Sequence, residues 1–181
     1  IDDFFEGLNA FVAKDSPKSN ELRFLYFGLS AKLVKEKLIN FPLLVSKVQV
    51  NGYTEHEEII KIQNDANVLL LLALPGYTWV PTGKLYEYIA TGKPILCMPS
   101  DKGEVMDVLN YTGQGIYCES STELTSFLSG AFSRWREGEK RILPENRLKI
   151  GEFQQELQVE RLSDYFRRII KGTSRGLLED L

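Results

Sequence analysis

Residues 67–99, NVLLLLALPGYTWVPTGKLYEYIATGKPILCMP, restrict what this chain can fold into more than any other stretch. Residues 68–74 are an unbroken apolar run, the pattern of a strand covered on both faces. Pro75 and Gly76 end it. Thr82 stands at an N-cap position, and Gly83 after it leaves the first helical N–H groups uncrowded. Over residues 84–91, Leu85, Tyr88 and Ile89 recur at i, i+3 and i+4 and are expected to face a core. Lys84, Glu87 and Thr91 fall on the opposite face. Gly92 suits a left-handed helix stop, and Pro94 opens a second buried strand over residues 95–98. The stretch therefore reads strand, loop, short helix, stop, strand.

In an open parallel sheet, ligands gather at the carboxyl ends of the strands, where this loop and helix start fall. N–H groups at a helix N-terminus, with a lysine beside them and a carboxylate one turn on, suit a phosphate and a sugar hydroxyl respectively. The spacing is not that of a P-loop, because no G-x-x-x-x-G-K-[ST] occurs.

The remaining segments repeat the alternation. Phe4, Phe5, Leu8, Phe11 and Val12 predict a helix over residues 2–14, with Asp2 and Asp3 near the positive end of its dipole. Strands are predicted over residues 22–28, 47–51 and 115–118, and helices over 31–41, 55–65, 104–111 and 122–136. Alternating strands and helices imply an α/β fold, a doubly wound parallel sheet with right-handed crossovers. The expected division is one domain over residues 1–137, then a linker and a long amphipathic helix within 138–181. The helix pattern itself covers residues 148–171.

Composition removes several function classes. A net charge of −3 provides no basic footprint for a nucleic acid polymer. Cys97 and Cys118 sit in predicted strands and read as reduced core thiols of a cytoplasmic protein. With one histidine and no ligand spacing, no metal site is expected. No apolar run reaches the roughly 18–20 residues that span a bilayer. The chain opens at Ile1 without a leader pattern, as though cut from inside a larger protein.

PTGKLYEYIATGKPIL, with NGYTEHEEIIKIQNDANVLLLL upstream and GEVMDVLNYTGQGI downstream, resembles the C-terminal nucleotide-sugar-binding domain of bacterial family 4-like glycosyltransferases of the GT-B type. The similarity covers most of residues 48–117. It implies a Rossmann-like domain and the donor-binding half of an enzyme that moves a hexose from a nucleoside diphosphate sugar to a glycan or lipid-linked acceptor. The implied setting is cell-surface polysaccharide synthesis, cytoplasmic or at the inner face of the membrane. No cofactor beyond the donor is implied, and the acceptor side would come from an N-terminal domain.

The resemblance also assigns roles. Glu87 matches the glutamate that hydrogen-bonds the ribose hydroxyls. Thr82, Gly83 and Lys84 would hold the diphosphate, and Tyr53 and Thr54 lie where the family places the nucleobase. Many members carry a glutamate contacting the donor sugar eight positions before Glu87, where this chain has Trp79, an aromatic that suits stacking or a core role equally. Asp101, Lys102, Gly103 and Glu104 occupy a loop on the same edge, suited to approaching the sugar or to capping a helix. His56 reads as an exposed first-turn residue. Arg167, Arg168 and Lys171 suit either a helix C-terminus or peripheral contact with anionic lipid. In relatives the terminal helix packs back toward the acceptor domain. No general base or nucleophile is assigned.

One topological expectation follows from the same comparison. The family's domain starts with a strand and a glycine-rich turn ahead of the first helix, whereas this chain starts with that helix. The strands at 22–28 and 68–74 are then expected either to pair directly or to hold between them a strand from elsewhere. Other classes remain in view: a non-hydrolysing nucleotide-sugar epimerase-like domain, and a non-catalytic α/β assembly module. A dinucleotide-binding domain would need G-x-G-x-x-G after its first strand, and a receiver domain would need acidic residues where Gly28, Leu29 and Ser30 stand.

Overall fold

The structure is a computed structural model that describes residues 1–72, 82–99, 103–139, 141–143, 153, 159, 163–164 and 167. Its elements are α1 (Asp2–Asp15), β1 (Phe24–Phe27), α2 (Ala31–Leu38), a 3-10 turn (Pro42–Leu44), β2 (Val48–Asn51) and α3 (His56–Asp65). They continue with β3 (Leu69–Leu72), α4 (Gly83–Ala90), β4 (Ile95–Met98), α5 (Glu104–Thr112), β5 (Gly115–Tyr117) and α6 (Ser121–Arg136). The 148–171 helix expected from the sequence lies largely outside the described residues.

The predicted elements are present, with two local differences. The helix expected over 31–41 stops at Leu38, because Asn40 and Phe41 turn back through N–H bonds to the Lys37 and Leu38 carbonyls. Pro42 then disfavours a helical conformation at Phe41, which lies at φ −127°, and opens the 3-10 turn. The last strand ends at Tyr117, so Cys118 lies just past it, although its N–H still reaches the Cys97 carbonyl at 3.2 Å. Both cysteines are buried thiols. Burial, helped by the nearby Glu123 charge, pushes the Cys118 thiol up to about 11, so it stays protonated at neutral pH.

All pairing is parallel. Side chains alternate between two apolar clusters as a period of two requires. On one face, Val68, Leu70, Leu96, Met98 and Ile116 pack with Phe5, Leu8 and Phe11 of α1 and with Leu124 and Phe132 of α6. On the other, Leu69, Ile95 and Cys97 pack with Leu85 and Ile89 of α4 and with Val105 and Leu109 of α5. Helices thus cover both faces, which is the Rossmann-like doubly wound arrangement.

The two strands flanking the expected gap do not pair with each other. β1 pairs with β2 in one sheet, and β3, β4 and β5 form another. Residues of both sheets nevertheless enter the same cluster under α1, with Phe24 and Tyr26 beside Leu70 and Leu96. Burial follows the pairing. Every residue of β4, which has a neighbour on each edge, is buried, whereas every residue of β1 is half-buried.

The layer of α1 and α6 depends on close approach at Gly7. A Cβ there would stand 2.7 Å from the Ser121 carbonyl oxygen and 2.9 Å from Leu124 Cδ2. Thr125 Oγ1 donates to the Gly7 carbonyl at 3.0 Å, and the Phe11 and Phe132 rings meet edge to face at 5.5 Å. Gly7→Ala should therefore destabilise the protein by about 1–2 kcal/mol, the clash outweighing the helix propensity gained. Urea unfolding checks this: the midpoint should fall with an unchanged slope.

Candidate functional site

The site is built on the first turns of α3 and α4. Thr82 is the N-cap of α4 in extended conformation (φ −85°, ψ 155°), and its carbonyl accepts the Leu85 N–H at 3.0 Å. Its hydroxyl makes no capping bond, and nothing lies within 4 Å of where a Gly83 Cβ would stand. Among the described residues, nothing crowds the start of this helix. Leu85 and Ile89 are fully buried and anchor the opposite face. At the far end Gly92 takes the left-handed conformation (φ 69°) expected of it. The Gln114 amide donates to the Ile89 carbonyl at 3.3 Å and to that of Lys93 at 3.0 Å, clamping the end of α4 to the start of β5.

Lys84 and Glu87 share the exposed face, as their spacing predicts, and they meet each other. Lys84 Nζ lies 2.7 Å from Glu87 Oε2 and 5.9 Å from the centroid of the Tyr88 ring. Two residues of α3 also bear on Glu87. Gln63 and His56 both favour its ionised form. Seven residues apart, His56 and Gln63 lie on one stripe of α3, nearly two turns from each other. Partial burial pushes the Glu87 pKa up. The hydrogen bond and charge of Lys84, joined by Gln63 and His56, outweigh this and leave it below the usual glutamate value. Tyr88 titrates higher than an ordinary tyrosine, through burial and then the neighbouring Glu87 charge.

The other expected residues are distributed along the same edge. Tyr53, exposed, and Thr54, half-buried, follow β2 immediately ahead of α3. The Gly28 N–H donates to the Gly52 carbonyl at 3.2 Å and ties the ends of β1 and β2 together there. Gly103 caps α5, accepting the Asp107 N–H at 3.1 Å, and Glu104 is the first residue of that helix. Trp79, Asp101, Lys102, Arg168 and Lys171 lie outside the described residues. Arg167 pairs with Asp164 at 3.1 Å. Phe153 packs between the Tyr86 and Tyr111 rings, at 6.2 and 6.1 Å, and so touches α4 and α5.

Sequence reasoning overlooked Gln63, whereas His56 is exposed in the first turn of α3, as expected. The signal was present: Gln63 is the buried residue of α3, a polar side chain with half-buried Ile59 and Ile62 near it on the helix. Such a residue needs a partner.

The fold is a Rossmann-like α/β arrangement of the kind found in glycosyltransferases. Among solved structures, the chain is similar to AviGT4, a glycosyltransferase involved in avilamycin A biosynthesis, with a TM-score of 0.56 and 17% identity. The match covers 92% of this chain and 47% of that one, so the chain spans about half the length of its neighbour. At this identity the likeness speaks for the fold alone. No family model and no curated protein matches the sequence. Among the described residues, no helix is long and apolar enough to cross a membrane.

The ion pair has a checkable titration. The stability that ionised Glu87 contributes is fully present above its ordinary value of 4.5 and is lost as pH falls through the lowered folded value. Carbon-13 carboxyl NMR should place the Glu87 midpoint below 4.5 in the native protein and higher in Lys84→Met.

Proposed function

We propose that this chain is the donor-binding part of a GT-B glycosyltransferase, corresponding to its C-terminal half. The enzyme would transfer a hexose from a nucleoside diphosphate sugar to a glycan or lipid-linked acceptor in cell-surface polysaccharide synthesis. The acceptor would be held by a separate N-terminal domain, and the reaction would take place in the cytoplasm, at the inner face of the membrane. The supporting observation is the placement of Lys84 and Glu87 on the first turns of α4, at the ligand edge of a glycosyltransferase-like fold.

The roles follow from the geometry of that turn. The open N-terminus at Thr82 and Gly83 offers N–H groups and a positive dipole end to a diphosphate. Lys84 adds a mobile positive charge. Glu87, held ionised at neutral pH, accepts two hydroxyl hydrogen bonds from a ribose. Tyr53, exposed at the end of β2, offers a ring to the base. The Lys84–Glu87 pair does not oppose this assignment. Both side chains are partly exposed, and such pairs contribute only about 0–1 kcal/mol, so an incoming diphosphate recruits Lys84 at small cost. The chemistry asked of these residues is positioning and stabilisation of a departing diphosphate.

Calorimetric titration of the full-length protein with UDP, GDP and ADP tests the proposal. One of them should bind saturably. Glu87→Ala should weaken that binding about 10–100-fold, the worth of hydrogen bonds to a charged acceptor, and erase the preference over the 2′-deoxy nucleotide. Absence of binding to all three would favour a non-catalytic assembly role.

A further inference from the structure

We infer that Phe153 is a positioning residue for α4: its ring clasps Tyr86 of α4 to Tyr111 of α5 and so keeps the helix that carries Lys84 and Glu87 from rolling about its own axis. The consequence for binding rests on the donor-site reading above and deepens it; the clasp itself does not.

Three observations carry it. The Phe153 ring lies 6.2 Å from that of Tyr86, tilted by 32°, and 6.1 Å from that of Tyr111, edge-on at 73°. Both distances fall in the range where aromatic pairs attract each other. Phe153 is half-buried and packs on the cluster that Leu85 and Ile89 of α4 form with Val105 and Leu109 of α5. Tyr86 and Tyr111, by contrast, lie on the surface, 39% and 43% exposed, so neither is fixed by burial in the core. The ring that links them comes from beyond α6 in the chain.

Helix geometry shows what the clasp adds. Leu85 and Ile89, four residues apart, fall close to one line along α4, which sets the depth of the helix but gives little resistance to roll. Gln114 holds the Ile89 carbonyl at the far end of α4, away from the ligand edge. Roll is resisted by side chains that stand off that line. Tyr88 and Tyr86 do so, about 80° to either side of it. Tyr88 is half-buried against the core cluster and blocks one sense of rotation. Phe153 blocks the other through Tyr86. A roll of about 20° would carry a carboxylate roughly 6 Å from the helix axis through about 2 Å, more than a hydrogen bond tolerates. Ligand binding and docking of the ring are then linked: each favours the other by the same factor.

The test uses the full-length protein and has two arms, one independent of any ligand. In the native protein the backbone amides of α4 should be quiet by NMR relaxation dispersion. In Phe153→Ala they should show microsecond-to-millisecond exchange while those of α6 remain quiet, with a thermal melt confirming the native fold. Phe153→Tyr, which keeps the ring, should restore the quiet state. Tyr111→Ala, at an exposed position, should act like Phe153→Ala and serves if that variant does not fold. A quiet α4 in the folded variants, or equal exchange in α6, overturns the clasp. In the second arm, the nucleoside diphosphate that binds the native protein should lose about 5–10-fold in affinity for Phe153→Ala, the worth of the lost ring contacts, and regain it in Phe153→Tyr. Exchange in α4 with undiminished affinity overturns the link to the ligand. If the unmodified protein binds none of UDP, GDP and ADP, the donor-site reading and that link fall together, while the relaxation measurement still decides the clasp.

Discussion

The architecture depends on β4 being apolar on both faces. Ile95 and Cys97 point to one side and Leu96 and Met98 to the other, and all are buried. A strand of this kind requires a helical layer above and below it, and the two layers are α1 with α6 and α4 with α5. Because the strands run parallel, each helix that follows a strand begins at the same edge. The open N-terminus of α4 is thus a consequence of burying β4 rather than a separate feature.

Within that frame, the site combines a rigid half and an adaptable half. Leu85 and Ile89 lock α4 into the core, and Gln114 clamps its C-terminal end. Glu87 is paired with Lys84, a lysine that solvent reaches. Such an exposed pair is cheap to break. A ligand arriving from solvent therefore meets a carboxylate on an anchored helix beside a cation free to be redirected.

The split between the β1–β2 and β3–β4–β5 sheets adds a second contrast. The sequence leaves two arrangements open for the strands at 22–28 and 68–74, and direct pairing is not the one adopted. What joins the two sheets is shared side-chain packing: the Phe4 and Phe24 rings meet tilted at 47° with centroids 5.0 Å apart, while α1 also covers the β3–β4 face through the same cluster. The long run of aromatic contacts from Phe4 and Phe5 to Phe24 and Phe41 makes α1 the element that bridges both sheets.

By itself the sequence determined the elements, their parallel order and the placing of Lys84 and Glu87 on one face of α4, away from the core. Each is written in a local period: a continuous apolar run for a two-faced strand, i, i+3 and i+4 for a helix, proline and glycine for the stops. Only the tertiary structure decided that Gly7 must lack a side chain and that β1 and β3 stay apart. Both concern segments far apart in sequence, and no local pattern records which surfaces will meet. That choice belongs to the packing of whole faces, which becomes definite only when the helices close over the sheet.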